Sequence, residues 1–413
     1  MKSNYRRLGD YIRELKVRNT DEKAEKLLGI NMDKFFMPSV ANVVGTDLSV
    51  YKLVRKNQFA CNRMHVGRDY RLPISVSKTD EEFIVSPAYD VFEISNTEVL
   101  NPEFLMMWFS RKEFDRNAWL YTDADVRGGL PWKSFCDMQL PIPTIQKQRE
   151  IVAEYNTIQN RIKLNEQLIQ KLEETAQAIY REWFVEFEFP DEDGKPYKTN
   201  GGDMVWCEEL GNEVPKGWIV GKLGSILECN PETLSSNDNF KSILYLDTSN
   251  ITNNRINELQ ELDLENDEIP SRARRKVKDN DIIFSTVRPA LKHFGIIKNL
   301  PENLIVSTGF AVFRVKGLTL FPELVYSFLT DEKTVNFLQA KAEMSVSTYP
   351  SVTSDDIMNL DFAKPNDKVL DIARDIFKGK DDFINLKNRE NQKLMELKEL
   401  LLSKLATLDI QET

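Results

Sequence analysis

The sequence predicts an α+β chain in which two pseudo-repeated α/β units are separated by two long antiparallel helices that pair as a coiled coil. Three observations predict it. Matching segments recur in the same order at a shift of about 222 residues. Each half mixes β-branched runs with short helical ones. Each half then ends in a long apolar pattern stepping by three and four.

The recurrence runs through most of the chain. Pro143 falls on Pro365, Leu164 on Leu386, and the QKL triplet at Gln170 on that at Gln392. At almost the same shift, "VRKNQFACNRM" from Val54 meets "VKDNDIIFSTV" from Val277. "FIVSPAYDVFEI" from Phe83 meets "LIVSTGFAVFRV" from Leu304, and "LNPEFLMMWF" from Leu100 meets "LFPELVYSFL" from Leu320. The openings "RRLGDYIREL" and "GKLGSILE" also correspond.

The elements follow in order. Residues 1–144 form the first unit, with strands where β-branched and aromatic residues cluster and a helix opening at Pro102. Residues 145–188 form the first long helix. Ile158, Ile162, Asn165, Ile169, Leu172 and Ile179 make its seam, and a polar seam residue such as Asn165 can fix register. About 40 residues without Gly or Pro span about 60 Å. Residues 189–364 hold a Pro/Gly/Asp-rich linker and the second unit. In that linker, "PDEDGK" crowds its carboxylates into one turn and reads as a turn, not as a nuclease site. The second helix covers 365–408, with Phe383, Leu386, Leu394, Leu397 and Leu401 as its stripe, and 409–413 is a tail. Neither helix can bury its stripe alone, so the two are expected to pair within the chain.

Composition narrows the function. A net charge of −10 argues mildly against nucleic acid, but "SRARRKVK" and "KLVRK" are locally basic. A local patch is what nucleic acid feels within about 8 Å at physiological salt. There is no apolar run near 18 residues and no signal-peptide core at the start. Cys61, Cys136, Cys207 and Cys229 are scattered. Together these features predict a cytoplasmic protein with free thiols and no membrane partner.

Catalytic motifs are missing. The chain has no GxxxxGK[ST] loop, GxGxxG turn, HExxH or GxSxG, and only two histidines, His65 and His293. No catalytic residue, metal or cofactor is expected. Two similar units without chemistry point to binding through two similar surfaces.

The stretch "AIYREWFVEFEFPDEDGKPYKTNGGDMVWCEELGNEVPKGW", Ala178 to Trp218, resembles the central region of specificity subunits of type I restriction-modification systems. "LPIPTIQKQREIVAEY" from Leu140 and "DNDIIFSTVRP" in the second half are similar to the same family. The second helix departs from it, because "LDFAKPNDKVLDIARDI" lacks the usual Gln after the proline. The resemblance implies a non-catalytic, DNA-binding subunit of a site-specific deoxyribonuclease and adenine methyltransferase complex. Each unit would be a target recognition domain reading half of a bipartite asymmetric site in double-stranded DNA. The helices would set the half-site separation and dock two methyltransferase subunits, which restriction and translocase subunits then join. The competing expectation is a coiled-coil structural adaptor without sequence-specific DNA binding, whose seam would stay open within the chain.

Family resemblance gives no base-contacting residues, so chemistry selects them. Arg can pair with guanine and Asn with adenine, while Lys, Ser and Thr suit phosphates. The candidates are Asn62, Arg63 and Arg68 after the first matched strand, and Ser285, Arg288 and Lys292 after the second. Arg127, between acids and a Gly pair, has Ser347, Thr348 and Tyr349 as its counterparts. Arg272, Arg274 and Arg275 are expected to grip phosphate.

Overall fold

The computed structural model describes residues 5–39, 45–64, 66–122, 128–235, 237–299, 301–317, 320–345 and 350–407. The chain divides into two compact units, Met1–Asn165 with Glu390–Thr413, and Glu166–Arg389. The division does not follow the linear domain boundaries expected from sequence, because each long helix contributes to both units.

In unit 1, four strands form an antiparallel sheet: β1 (Ile12–Leu15), β2 (Phe59–Cys61), β3 (Ile74–Val76) and β4 (Asp90–Ile94), in the order β1-β4-β2-β3. The inner strand is wholly buried, so Phe59, Ala60 and Cys61 read as one apolar run instead of an alternation. A four-residue turn, α1 (Val66–Asp69), connects β2 to β3. Two helices follow the sheet, α2 (Pro102–Phe109) and α3 (Lys112–Leu120). Pro102 starts α2 where its missing N–H costs nothing, and the Asn101 side chain accepts from the Glu103 and Phe104 amides at 2.8 and 3.1 Å. The core is aromatic. Phe59 stacks on Phe92 at 5.0 Å, and Phe109 meets Phe59 edge-on at 5.9 Å. Burying each such ring contributes about 1.5–3 kcal/mol.

The first long helix, α4, is Ile145–Tyr180, and five π-helical residues, Arg181–Val185, continue it. Its start is pinned by Gln148, which is fully buried. The Gln148 amide nitrogen donates to the carbonyls of Val99 and Pro143 at 2.9 and 2.8 Å, and its oxygen accepts from the Asn101 amide at 2.8 Å.

Unit 2 has a sheet of the same order. Its strands are β5 (Leu227–Cys229), β6 (Ile282–Ser285), β7 (Phe294–Ile296) and β8 (Phe310–Val315), arranged β5-β8-β6-β7 and all antiparallel. Helices α5 (Pro322–Thr330) and α6 (Glu332–Glu343) follow, the first again opening on a proline. A second four-stranded sheet contains Ser242–Leu246 paired in parallel with Leu304–Ser307, with Ala273–Lys276 at one edge. In both units a further pair of strands precedes the long helix. Tyr5–Arg7 pairs with Gln139–Pro141 in unit 1, and Ile219–Lys222 pairs with Asp361–Lys364 in unit 2. The linker folds onto unit 2 through aromatic packing. Phe189 stacks on Tyr197 at 4.5 Å and on Trp218 at 5.5 Å, and "PDEDGK" is a turn closed on the Asp191 carboxylate.

The second long helix, α7, is Asp367–Lys404. Asn366 caps its start as Thr144 caps α4, its side chain accepting from the Val369 amide at 3.1 Å. Within each unit α7 runs antiparallel to α4. In unit 1, Arg161 meets Glu390 at 2.5 Å, Asn165 donates to Asn391 at 2.8 Å, and Ile151 and Val152 share a core with Leu402 and Leu405. In unit 2, Ala176 and Tyr180 share a core with Val369, Leu370, Ala373 and Phe377. On α4 the expected seam is inward: Ile158, Ile162, Asn165 and Ile169 are buried, and Leu172 and Ile179 half-buried.

The stripe expected on α7 needs correction. Phe383, Leu386 and Leu397 are exposed, while Leu394 and Leu401 are half-buried. The inward positions are Val369, Leu370, Ala373, Phe377, Asp381, Ile384, Asn391 and Leu402. Two of them are polar: Asn391 accepts from Asn165, and Asp381 meets Lys380 through Oδ1 at 2.7 Å while its buried Oδ2 has no hydrogen-bond partner among the described residues and lies 3.6 Å from Lys298 Nζ. Selecting the most apolar residues therefore traced the neighbouring face.

Candidate nucleic-acid interface

Each unit presents one face built from the same three pieces. A turn leaves the inner sheet strand, the second of the two helices lies beside it, and the segment after that helix returns to the turn.

In unit 1 the turn is residues 62–73. Gly67 donates to the Gly128 carbonyl at 2.7 Å, and a β-carbon on Gly67 would lie 2.7 Å from the Gly128 Cα. Only glycine allows this approach, and Gly128 also has φ +58°. Arg63 is turned into the fold. Its Nε donates to Asp90 Oδ2 at 2.7 Å, its Nη1 donates to the Leu130 carbonyl, and its guanidinium lies 5.4 Å from the centre of the Trp132 ring. This commitment makes Arg63 a fixture holding residues 130–132 against the sheet, and it corrects the expectation that Arg63 is offered to DNA. The Asn62 side chain accepts from the Met64 amide at 3.2 Å and shapes the turn. Arg68 is exposed and paired with its neighbour Asp69 at 2.6 Å. Tyr70, 63% exposed and at φ +56°, packs against the exposed Trp119 of α3 with ring centres 5.5 Å apart. Arg127 lies outside the described residues, as does His65.

In unit 2 the turn is residues 286–293. Ser285, buried at its base, donates to the Val287 carbonyl at 3.0 Å and accepts from the Val287 amide at 3.3 Å. Ser285 therefore shapes the turn instead of facing solvent, a second correction. Arg288 and Lys292 are both exposed and both left-handed, at φ +47° and +57°. Between them Pro289–Leu291 makes a single 3-10 turn. His293 is tied by its Nδ1 to the Ile251 carbonyl at 2.6 Å. On the edge strand Arg274 is exposed, as is Arg272 in the turn just before it. Arg275 is half-buried beside Cys229, and burial lowers its pKa from the usual arginine range. Its Nε is buried without a partner, so it is a poor phosphate grip. Ser347, Thr348 and Tyr349 lie outside the described residues.

Sequence reasoning missed Tyr70, Trp119 and Gln339. Tyr70 and Trp119 belong to different elements, and no local pattern joins them. Gln339 on α6 carried one local signal, its i,i+4 pairing with Glu343. Among the described residues no group of three or more His, Cys, Asp or Glu could hold a metal ion. No helix there is long and apolar enough to cross a membrane.

The class the fold defines is an α+β protein with a like-ordered four-stranded sheet in each unit and two long helices. Comparison places this chain among known ones. No family model matches it. Over 162 residues, 39% of the chain, it is 25% identical to the type I restriction enzyme HindI specificity subunit of Haemophilus influenzae. Over 113 residues, 25% of the chain, it is 33% identical to the type I restriction enzyme MjaIX specificity subunit of Methanocaldococcus jannaschii. These matches span 35% and 23% of those proteins, about a third and a quarter of their lengths. The crystal structure of a type I restriction-modification system S subunit from M. genitalium shares the fold, with a TM-score of 0.53 at 13% identity over 98% of this chain and 96% of that one. The chain is thus similar over part of its length to type I restriction enzyme specificity subunits, and shares the fold of an S subunit.

Proposed function

We propose that the chain is the specificity subunit of a type I restriction-modification complex. It binds double-stranded DNA at a bipartite, asymmetric site, one part per unit. It docks two methyltransferase subunits and, through them, restriction and translocase subunits. The long helices act as the spacer and coiled coil of this assembly. The subunit itself is non-catalytic and works in the cytoplasm.

The observation that carries the reading is the recurrence of sheet order, turn and second helix in the two units. One such face suits one half-site. The exposed cations of each turn, Arg68 in unit 1 and Arg288 and Lys292 in unit 2, supply donors for guanine edges and phosphates. Arg272 and Arg274 add phosphate contacts in unit 2. An adaptor would need an open seam, but Ile158, Ile162 and Ile169 are buried within the chain. What remains exposed on the long helices is a set of large apolar residues, Leu164, Phe383, Leu386, Leu397 and Leu400 among them. These suit methyltransferase docking.

The test is methylation mapping in cells carrying the methyltransferase partner with and without this subunit. The expected result is one split sequence, methylated on adenine only when the subunit is present. An assembled complex that methylates without sequence preference would overturn the proposal.

A further inference from the structure

We infer that Gln339 on α6 is a positioning residue that aims the turn carrying Arg288 and Lys292, and so sets the base preference of unit 2. The inference rests on the DNA-reading function proposed above and goes beyond it by locating a specificity determinant outside the reading turn.

The turn is closed by two bonds of its own, the Leu291 and Lys292 amides donating to the Arg288 and Pro289 carbonyls at 2.9 Å each, but its backbone is strained. Arg288 and Lys292 both carry a β-carbon in the left-handed region, which such residues occupy only when the surroundings over-determine it. Some of that determination is backbone. The Arg288 amide donates to the Pro350 carbonyl at 2.9 Å, and the Lys292 carbonyl accepts from the Asn253 and Phe294 amides at 2.9 and 3.0 Å. These bonds fix the two ends of the turn. The apex is different. Pro289 has no N–H, so Ala290 supplies the first donor within the 3-10 turn, where no intrahelical acceptor serves it. The Ala290 amide donates to Gln339 Oε1 at 3.0 Å.

Gln339 is held at its other end as well. Its Nε2 donates to Glu343 Oε1 at 2.9 Å, one turn further along α6. The helix is anchored in its turn, because Lys341 pairs with Asp356 at 2.7 Å, and Asp356 accepts from the Thr353 amide at 2.8 Å. From Thr353 the chain runs back to the turn, where the Val352 amide donates to the Thr286 carbonyl at 2.9 Å. A closed circuit of contacts thus passes from the turn through Gln339, α6 and residues 350–356 back to the turn. Gln339 is the one side chain of α6 in that circuit that touches the apex through a hydrogen bond among the described residues. The outer side of the turn, with Val287, Arg288, Leu291 and Lys292, stays exposed.

Unit 1 meets the same need by other means. There the turn is fixed by backbone, Gly67 to Gly128, and α3 contributes ring packing of Trp119 on Tyr70. The sheet order is shared but the anchor is not, which is where two readers of different sequences are free to differ.

The experiment uses the full subunit assembled with its methyltransferase partners and a panel of single-base variants of the mapped site. In Gln339→Ala, discrimination at positions read by the turn should fall by about tenfold, within the range of one specific base contact. The other half-site and the thermal midpoint should not change. The double variant Gln339→Glu with Glu343→Gln keeps an acceptor for Ala290 and a donor between the two side chains, and should restore the preference. Three results overturn the inference: an unchanged ranking of bases, a uniform loss of affinity on all sequences, or no rescue by the double variant. If Arg288→Ala alters the ranking while Gln339→Ala does not, DNA reading stands and the positioning role fails. If the wild-type complex shows no base preference at all, the proposed function itself fails, and the inference with it.

Discussion

The buried amide pair between the long helices offers a sharp test of the packing. Asn165 and Asn391 are 2% and 7% exposed, and the Asn165 amide nitrogen donates to Asn391 Oδ1 at 2.8 Å. Asn165→Ala removes the donor and leaves the Asn391 oxygen buried without it, a cost of about 1–3 kcal/mol. Asn391→Ala should cost a similar amount for the same reason. Replacing both by Leu removes the two polar groups together, and two buried leucines then contribute about 1.5–3 kcal/mol each. The double variant should therefore match or exceed the native stability, whereas two independent losses would add to about 2–6 kcal/mol. The adjacent Arg161–Glu390 pair cannot account for such numbers, since its side chains are 51% and 29% exposed and such pairs are worth about 0–1 kcal/mol. A chain with two units need not unfold in one step. The assay is therefore amide hydrogen exchange over residues 154–165 and 390–404, alongside denaturant titration. Single variants that shift local stability by less than about 0.5 kcal/mol, or a double-Leu variant costing the sum of the two, would refute the coupled pair.

Three further outcomes are expected. Arg63→Ala should destabilise unit 1 by about 2–4 kcal/mol, because it orphans the half-buried Asp90 carboxylate and frees Leu130, while base preference in surviving complexes stays native; melting and a site-variant panel measure both. Arg288→Ala should relax preference at one position and cost about 1–3 kcal/mol if Arg288 reads a base, or weaken all sequences and flatten the salt slope by about one if it holds phosphate; unchanged affinity everywhere would remove it from the interface. Hydrogen bonding to Lys341, with further bonds from Thr353, lowers the Asp356 pKa from the ordinary carboxylate value to about 2. A depressed carboxylate stabilises above its unfolded pKa and loses that contribution as pH falls through the folded value. The stability gap between wild type and Asp356→Asn should thus be constant from neutral pH to about 4 and vanish towards about 2; a gap that closes already near neutrality would refute the assignment.

Much of the fold was legible because its signals are local. Apolar spacing of three and four without Gly or Pro marks α4, and Pro102 and Pro322 mark two helix starts, since proline at the first helical position needs no acceptor. The inner strands were legible as continuous β-branched and aromatic runs. The inward face of α7 was not. There the buried positions include Asp381 and Asn391, which face Lys298 and Asn165 from far off in sequence, so apolarity alone chose Phe383 and Leu386 instead. A helix seam that mixes amides and carboxylates with leucine cannot be traced from hydrophobicity until its partner is known.

The candidate site divides along the same line. Which stretches form the two faces was readable from the recurrence, but which cation faces outward was not. Arg63 and Arg68 are five residues apart and chemically alike. Asp90, on another strand, draws Arg63 inward, whereas exposed Arg68 pairs with its neighbour Asp69. Ser285 and Arg288 separate in the same way, one closing the base of its turn and the other carried out by a left-handed backbone. In each unit the residues next to the sheet are consumed in building the turn, and those at its crest are released from that duty. This division lets crest residues change without cost to the core, so two units with the same sheet order can carry an aromatic crest, Tyr70 with Trp119, and a basic one, Arg288 with Lys292. A repeated scaffold and unlike crests are what the proposed reading of two unlike half-sites requires.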